Sequence, residues 1–249
     1  MFETETRVTT SDGEMTTFVV HPDGGGPFPV AVLFMDGVGY RDQIKANARR
    51  FAEGGYYVAA PDLFYRAGEK LSFDVGRLGE PGYRERLMDV VATVTPARTS
   101  ADIEALLGTV DIDPAARAGT KVCVGYCMGA RVALQAAASD AGFAAAAGIH
   151  PGALVTDQPD SPHHDVARVT GELYFAFAEN DQSATAENVD RFRAELERHG
   201  VPGDVERLPG THHGFAMADL PVYDQRAAER HFERTLELWD RTLSSPTVG

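Results

Sequence analysis

The sequence predicts an α/β fold built on a mostly parallel sheet, and two patterns support this prediction. Short apolar runs of strand length alternate with longer segments in which apolar residues recur at helical spacing. The run 29–35 is apolar throughout, as is typical of a strand covered on both faces. We therefore expect helices on both faces of the sheet. The length of 249 residues and the 43% hydrophobic content suit one domain over residues 1–249.

The elements follow in a regular order after an N-terminal hairpin. Alternating residues from Thr4 to Val20, around the turn Ser11-Asp12-Gly13, predict two antiparallel strands at a sheet edge. Further strands are predicted at 29–35, 56–60, 121–124, 143–149, 173–178 and 204–208, and helices at 43–53, 84–95, 99–107, 130–138, 184–199 and 223–243. Residues 61–82 are rich in glycine, aromatic and charged residues and are either an elaborate loop or a lid.

The last predicted helix carries one apolar stripe. We assign Trp239 on this stripe to core packing rather than to ligand binding. The stripe consists of Tyr223, Ala227, Phe232, Leu236, Trp239 and Leu243.

Composition and charge exclude several classes of partner. The net charge of -14 repels nucleic acids and anionic membranes and is consistent with simple solubility. The N-terminal residues lack the basic and apolar regions of a leader, and no apolar run approaches membrane-spanning length. About 13 Å of mostly extended chain separates Cys123 from Cys127, which is beyond the ~7 Å limit for a disulfide. Free thiols suit a reducing compartment, so we expect a cytoplasmic protein whose oligomeric state stays open.

A glycine-bracketed cysteine is the first sign of chemistry. Gly125-Tyr126-Cys127-Met128-Gly129 follows a predicted strand and precedes a predicted helix. This is the arrangement of the nucleophile elbow of α/β hydrolases, whose tight backbone needs glycine on both sides of the reactive residue. The usual serine is a cysteine here. The motif is short and occurs by chance in many chains. Whether Cys127 is catalytic therefore depends on whether the sequence also supplies an acid and a base for it.

A thiol at neutral pH is only a few per cent thiolate and needs a base to act as a nucleophile. In α/β hydrolases the acid and the histidine follow the nucleophile in that order, each after a later strand. Asp181 and His213 satisfy this order. From the residues alone, Asp181 could instead cap the helix from Ala184, Glu179 is a rival acid, and the choice between His212 and His213 stays open.

The chain resembles the dienelactone hydrolase family. That family carries G-x-C-x-G at its elbow, and its histidine precedes a small residue and a phenylalanine, as in His213-Gly214-Phe215. The pattern 55–58 followed by 61–64 also matches, and the resemblance covers about Pro29 to Phe215. It implies an α/β-hydrolase fold, favours His213 over His212, and implies a Cys127, Asp181 and His213 triad in a carboxylic ester or lactone hydrolase.

The resemblance implies further roles at the end of the first parallel strand. The backbone N–H groups of Met128 and Gly37 would bind the oxyanion. Asp36 matches an acidic residue that pairs with the thiol in resting family members, although an ordinary turn residue would also fit its position.

Departures from the family bear on the substrate. Ala130 replaces the second elbow glycine, and Met217 stands where dienelactone-cleaving members have an arginine for the substrate carboxylate. Neutral esters or lactones are therefore expected, unless Arg77, Arg84 or Arg86 supplies a basic contact. We expect Tyr126, Phe215, Met217 and Arg84 to contribute to the substrate pocket.

No cofactor or metal is expected. His163-His164 lacks the spacing of zinc ligands, and Gly24-Gly25-Gly26 lacks the lysine of a phosphate loop. The alternative to hydrolysis is a small-molecule-binding or redox-sensing protein on the same fold that uses Cys127 as an oxidisable thiol. Asp181 and His213 in triad order weigh against that alternative, since sensing needs neither.

Overall fold

The computed structural model describes residues 1–244, and the chain forms two compact units, Met1–Ala118 and a second that begins at Gly119. Each unit is an α/β structure in its own right. One domain over residues 1–249 stays a prediction. Among residues 1–244, no helix is both long enough and apolar enough to cross a bilayer.

The first unit begins with the predicted hairpin. Its elements are β1 (Phe2–Thr10), β2 (Gly13–His21), β3 (Val30–Phe34), α1 (Asp42–Glu53), β4 (Tyr57–Pro61), α2 (Tyr83–Ala92) and α3 (Pro96–Val110). The strands lie in the order β1-β2-β4-β3, with β1/β2 and β2/β4 antiparallel and β3/β4 parallel. Thr10 pairs with Gly13, so Ser11 and Asp12 form the turn and β1 is the edge strand.

Residues 61–82 are held against the loop that follows β3. Gly39 and Ser72 form an antiparallel bridge. The Tyr40 N–H donates to the Leu71 carbonyl at 3.0 Å, and the Phe73 N–H donates to the Val38 carbonyl at 2.8 Å. A short 3-10 helix covers Val75–Arg77. This stretch therefore has specific backbone partners in its own unit.

The second unit contains four parallel strands in the order β5-β6-β7-β8. Their carboxyl ends lie along one edge, where sites form in parallel sheets. A 3-10 helix covers Pro162–Arg168 between β6 and β7. The elements are β5 (Lys121–Tyr126), α4 (Met128–Ala137), β6 (Phe143–Ile149), β7 (Glu172–Asn180), α5 (Ala186–His199), β8 (Gly203–His212) and α6 (Gln225–Ser244).

Several boundaries differ from the predicted ones for local reasons. α4 begins at Met128, directly after Cys127. α5 begins at Ala186 because the Thr185 side chain accepts from the Asn188 N–H at 3.3 Å and caps the helix. Trp239 in α6 is fully buried, as predicted, but Tyr223 precedes the helix and is 38% exposed, so its placement on the buried stripe is wrong.

Candidate active site

Cys127 occupies a strained turn between β5 and α4. Its φ of 52° lies in the left-handed region, which is unfavourable for a residue with a side chain. A Cβ on Gly125 would lie 1.9 Å from the Gly129 carbonyl oxygen, so glycine is required there. The turn leaves the thiol partly exposed at the N-terminus of α4, where the helix dipole favours an anion.

Three side chains predicted from separate loops form one hydrogen-bonded series. His213 Nε2 lies 3.0 Å from Cys127 Sγ, and His213 Nδ1 lies 2.6 Å from Asp181 Oδ2. The Asp181 side chain is only 3% exposed. Its other oxygen accepts from the Ser183 N–H at 2.8 Å and from the Ser183 hydroxyl at 2.7 Å. The carboxylate is thus fixed in place and orients the imidazole toward the thiol.

The electrostatics of this series favour charged forms. Burial alone would lower the pKa of His213, but the negative charge of the Cys127 thiolate and the hydrogen bond to Asp181 together raise that pKa to about 11. Burial would raise the pKa of Asp181, yet the hydrogen bonds from His213 and Ser183 lower it. His213 therefore stays protonated at neutral pH and faces the sulfur of Cys127.

The rival candidates have other partners. The Glu179 carboxylate accepts from the Gly210 N–H at 2.8 Å. His212 is exposed and ends β8 beside Asn180. Thr185 caps α5, so Asp181 is available to His213.

Asp36 and Gly37 follow β3 in the first unit. Asp36 is buried and forms a two-point ion pair with Arg41, with Nη1–Oδ1 at 2.6 Å and Nη2–Oδ2 at 3.0 Å. Its Oδ1 also accepts from the Val38 N–H at 3.1 Å. The carboxylate that the sequence paired with a thiol is thus bound to a guanidinium of its own loop.

The remaining candidates fall into buried and exposed groups. The side chains of Tyr126, Phe215 and Met217 have no exposed surface. The Tyr126 ring centroid lies 5.9 Å from that of His150, and the Phe215 centroid lies 5.3 Å from it, so both aromatic rings pack around this histidine. Arg84 is exposed on α2. The Met128 side chain, 2% exposed, packs at the first turn of α4.

Comparisons with known proteins identify the family. A model described as "Dienelactone hydrolase family" matches residues 15–243. The chain belongs to the dienelactone hydrolase family. It is 27% identical over 245 residues to a protein of Methylorubrum extorquens named "Putative carboxymethylenebutenolidase", covering 95% of this chain and 80% of that protein. A similarly named protein of Azospirillum brasilense is 27% identical over 236 residues, covering 93% and 95% of the two chains.

Solved structures of similar proteins confirm the fold. A structure titled "Putative Dienelactone Hydrolase" from Klebsiella pneumoniae has a TM-score of 0.85 at 20% identity and covers 96% of this chain and 98% of its own. A dienelactone hydrolase-like promiscuous phosphotriesterase from metagenomic libraries has a TM-score of 0.74 at 22% identity and covers 96% and 98%. The chain has the α/β-hydrolase fold predicted from its sequence, and it is a hydrolase of the dienelactone hydrolase type that acts on a small molecule.

Three residues near the thiol were not singled out from the sequence. The His150 ring lies edge-on to His213, with centroids 5.3 Å apart. Gly152 lies beside both Cys127 and His213. Arg131, one helical turn after Cys127, has a pKa that burial lowers and the charge of Cys127 raises. The signals available were Pro151-Gly152 just after a strand end and a cation four residues after the nucleophile in its helix.

Of the two adjacent histidines singled out from the sequence, His163 has a hydrogen-bond partner and His164 lies beside Glu195, with Nδ1–Oε1 at 4.0 Å. His163 Nδ1 lies 2.7 Å from the Ser161 hydroxyl. Within the described range 1–244, no group of three His, Cys, Asp or Glu side chains is arranged to hold a metal ion.

Proposed function

We propose that this family member is a cysteine hydrolase that cleaves a lactone or a small carboxylic ester through an acyl-thioester intermediate. The observation that supports it is the series from Cys127 Sγ through His213 to Asp181, with both contacts at hydrogen-bond distance. The raised pKa of His213 means that its ring carries a proton before acylation, and this proton can pass to the leaving oxygen.

Acylation begins when the Cys127 thiolate attacks the carbonyl carbon of the substrate. A C–S bond forms, and the carbonyl oxygen takes the electron pair of the double bond. The resemblance assigns the stabilisation of this oxyanion to the Met128 and Gly37 N–H groups. When the intermediate collapses, the C–O bond to the leaving oxygen breaks and His213 supplies its proton. In a lactone this step opens the ring.

Deacylation uses the same groups in reverse roles. Neutral His213 takes a proton from water, and the resulting hydroxide attacks the thioester carbon. The C–S bond breaks, the acid leaves, and the thiolate again faces a protonated imidazole. Asp181 accepts a hydrogen bond from Nδ1 throughout, holding the ring in one orientation. Asp36, tied to Arg41, would act by holding the loop of Gly37.

The proposed substrates are neutral and small. An apolar residue at position 217 and the net charge of -14 disfavour an anionic substrate. We propose turnover without a cofactor, and a cytoplasmic location because both cysteines are free thiols.

Pre-steady-state hydrolysis of neutral aryl acetates tests this proposal. We expect a burst of phenol equivalent to one active site, followed by slower turnover, and a mass increase of one acetyl group on the Cys127 peptide. Cys123→Ala is the matched control and should keep the burst. Reversible oxidation of Cys127 without any ester turnover would instead support the redox-sensing alternative and contradict the hydrolase.

A further inference from the structure

The segment 150–153, which follows β6, is held in an unfavourable backbone conformation directly against the reactive pair. His150 has φ of 39° and Ala153 has φ of 50°, and neither is a glycine. Residues with side chains are strained in this region and persist there only where the surroundings enforce the conformation. The Gly152 N–H donates to the Cys127 carbonyl at 3.3 Å. The strained residues His150 and Ala153 thus lie on either side of Gly152, which is hydrogen-bonded to the elbow.

Gly152 lies beside both reacting groups. A Cβ added to it would lie 3.4 Å from Cys127 Sγ and 3.4 Å from His213 Cε1, with Nε2 at 3.9 Å. A single methyl group here would therefore contact the nucleophile and the base at once. Gly152 is partly exposed, so the space beside its Cα is open to solvent.

The backbone does not require glycine at position 152. A Cβ on Gly148 would lie 2.2 Å from the Phe175 ring, and one on Gly125 would overlap backbone atoms, so the fold needs both glycines. Gly152 differs because the added Cβ would make only ordinary van der Waals contacts and the φ of Gly152 is not positive. The absence of a side chain at position 152 therefore leaves space next to Cys127 Sγ and is not required for folding.

We propose that Gly152 determines which acyl groups the enzyme accepts, because its lack of a side chain reserves room for branching next to the carbonyl carbon. This inference rests on the proposed function. The carbonyl carbon must approach Sγ to about 3–3.5 Å before the bond forms, so its substituent competes for the volume a Cβ at position 152 would fill. The ligand class is a neutral ester or lactone branched at the α-carbon.

Gly152→Ala tests this with two aryl esters that share one leaving group, an acetate and a 2-methylpropanoate. Wild-type kcat/KM should be within about tenfold for the two esters, because the two extra methyl groups of the 2-methylpropanoate enter space that the enzyme leaves open, and a pocket without that space would discriminate by more. Gly152→Ala should lower kcat/KM for the branched ester at least about tenfold more than for the acetate. Gly79→Ala, at a site where an added Cβ meets nothing within 4 Å, is the control and should change neither value.

A loss of equal size for both esters would overturn the inference, as would a strong wild-type preference for the acetate. The comparison of the two esters with wild-type protein tests the inference even if the variant does not fold.

A second experiment needs no hydrolysis. It measures the rates at which iodoacetamide and the larger iodoacetanilide alkylate Cys127, each relative to the rate with free cysteine. Gly152→Ala should slow the larger reagent more. If wild-type protein hydrolyses no ester while alkylation shows this size dependence, the proposed function fails and the steric role of Gly152 stands. Size-independent alkylation overturns that role.

Discussion

Cys123 lies inside β5, whereas Cys127 lies in the turn that ends it, only four residues later. The Cys123 side chain is fully buried, its Sγ is 3.6 Å from the Ala133 carbonyl, and burial raises its pKa. Cys127 is partly exposed, has a left-handed backbone and lies 3.0 Å from His213 Nε2. The two cysteine side chains thus differ in exposure and in partners because Cys127 follows the carboxyl end of a parallel strand and Cys123 lies within that strand.

The largest expected difference between the two cysteines is in turnover. Cys127→Ala should lower kcat for a neutral aryl ester by at least about 10⁴-fold, since removing a nucleophile from a cooperating series costs about as much as removing all of it. Cys123→Ala should leave kcat nearly unchanged and lower the free energy of unfolding by roughly 1–2 kcal/mol, because a small packed group is lost. Initial rates and urea denaturation of both variants measure this. Comparable loss of kcat in both would contradict the assignment of Cys127.

The two adjacent histidines extend the comparison to the base. His213→Ala should reduce kcat about 10²–10⁴-fold, because only its ring reaches the thiol. Because His212 is exposed, His212→Ala should change kcat little. Steady-state kinetics of the two variants on one ester check this pair. A greater loss for His212→Ala would show that the active conformation uses the other ring.

The elements that could be predicted are those whose cause is local. Continuous apolar runs predicted the central strands to within a few residues, since burial on both faces leaves little other choice, and alternation around an Asp-Gly turn predicted the edge hairpin β1–β2. Cys127, Asp181 and His213 were identifiable because each follows a strand end, and parallel strands bring those ends to one edge.

Side-chain partners could not be predicted in the same way. The pairing of Asp36 with Arg41 depends on the conformation of a loop, and their separation of five residues carries no pattern. Met217 is completely buried within consecutive turns after β8, where its N–H donates to the Gly214 carbonyl and its carbonyl accepts from the Leu220 N–H, both at 3.0 Å. The contact of Gly152 lies between positive φ at His150 and at Ala153, and alanine is not a residue type that signals such a backbone.

Alkylation at different pH values sharpens the contrast between the thiols. The pKa of His213 is raised, so its imidazolium persists below about pH 11 and is lost as the pH rises through that value. A protonated His213 therefore faces Cys127 Sγ at pH 6 to 8, where we expect iodoacetamide to modify Cys127 on the order of tenfold or more faster than Cys123, because a cation beside a thiol favours the reactive anion. His213→Ala should slow modification of Cys127, most clearly at pH 6. Peptide mass spectrometry reads both sites, and equal labelling in native protein would contradict the prediction.

The last comparison concerns substrate charge at position 217. Met217→Arg would add a cation where dienelactone-cleaving relatives have one, and a charge-assisted hydrogen bond of about 1.5–3 kcal/mol would shift preference toward an anionic ester by roughly tenfold to a hundredfold. Met217 is fully buried, however, so the arginine must also find a partner or leave the core, and we expect a lower melting temperature together with the shift.

Met217→Leu, similar in volume and uncharged, is the control for packing and should leave the ratio of the kcat/KM values for the anionic and neutral esters unchanged. Matched neutral and anionic aryl esters at high salt, where long-range repulsion is screened, give this ratio. A wild-type preference for the anionic ester under those conditions would mean that another basic group makes the contact, and would contradict the importance given to position 217.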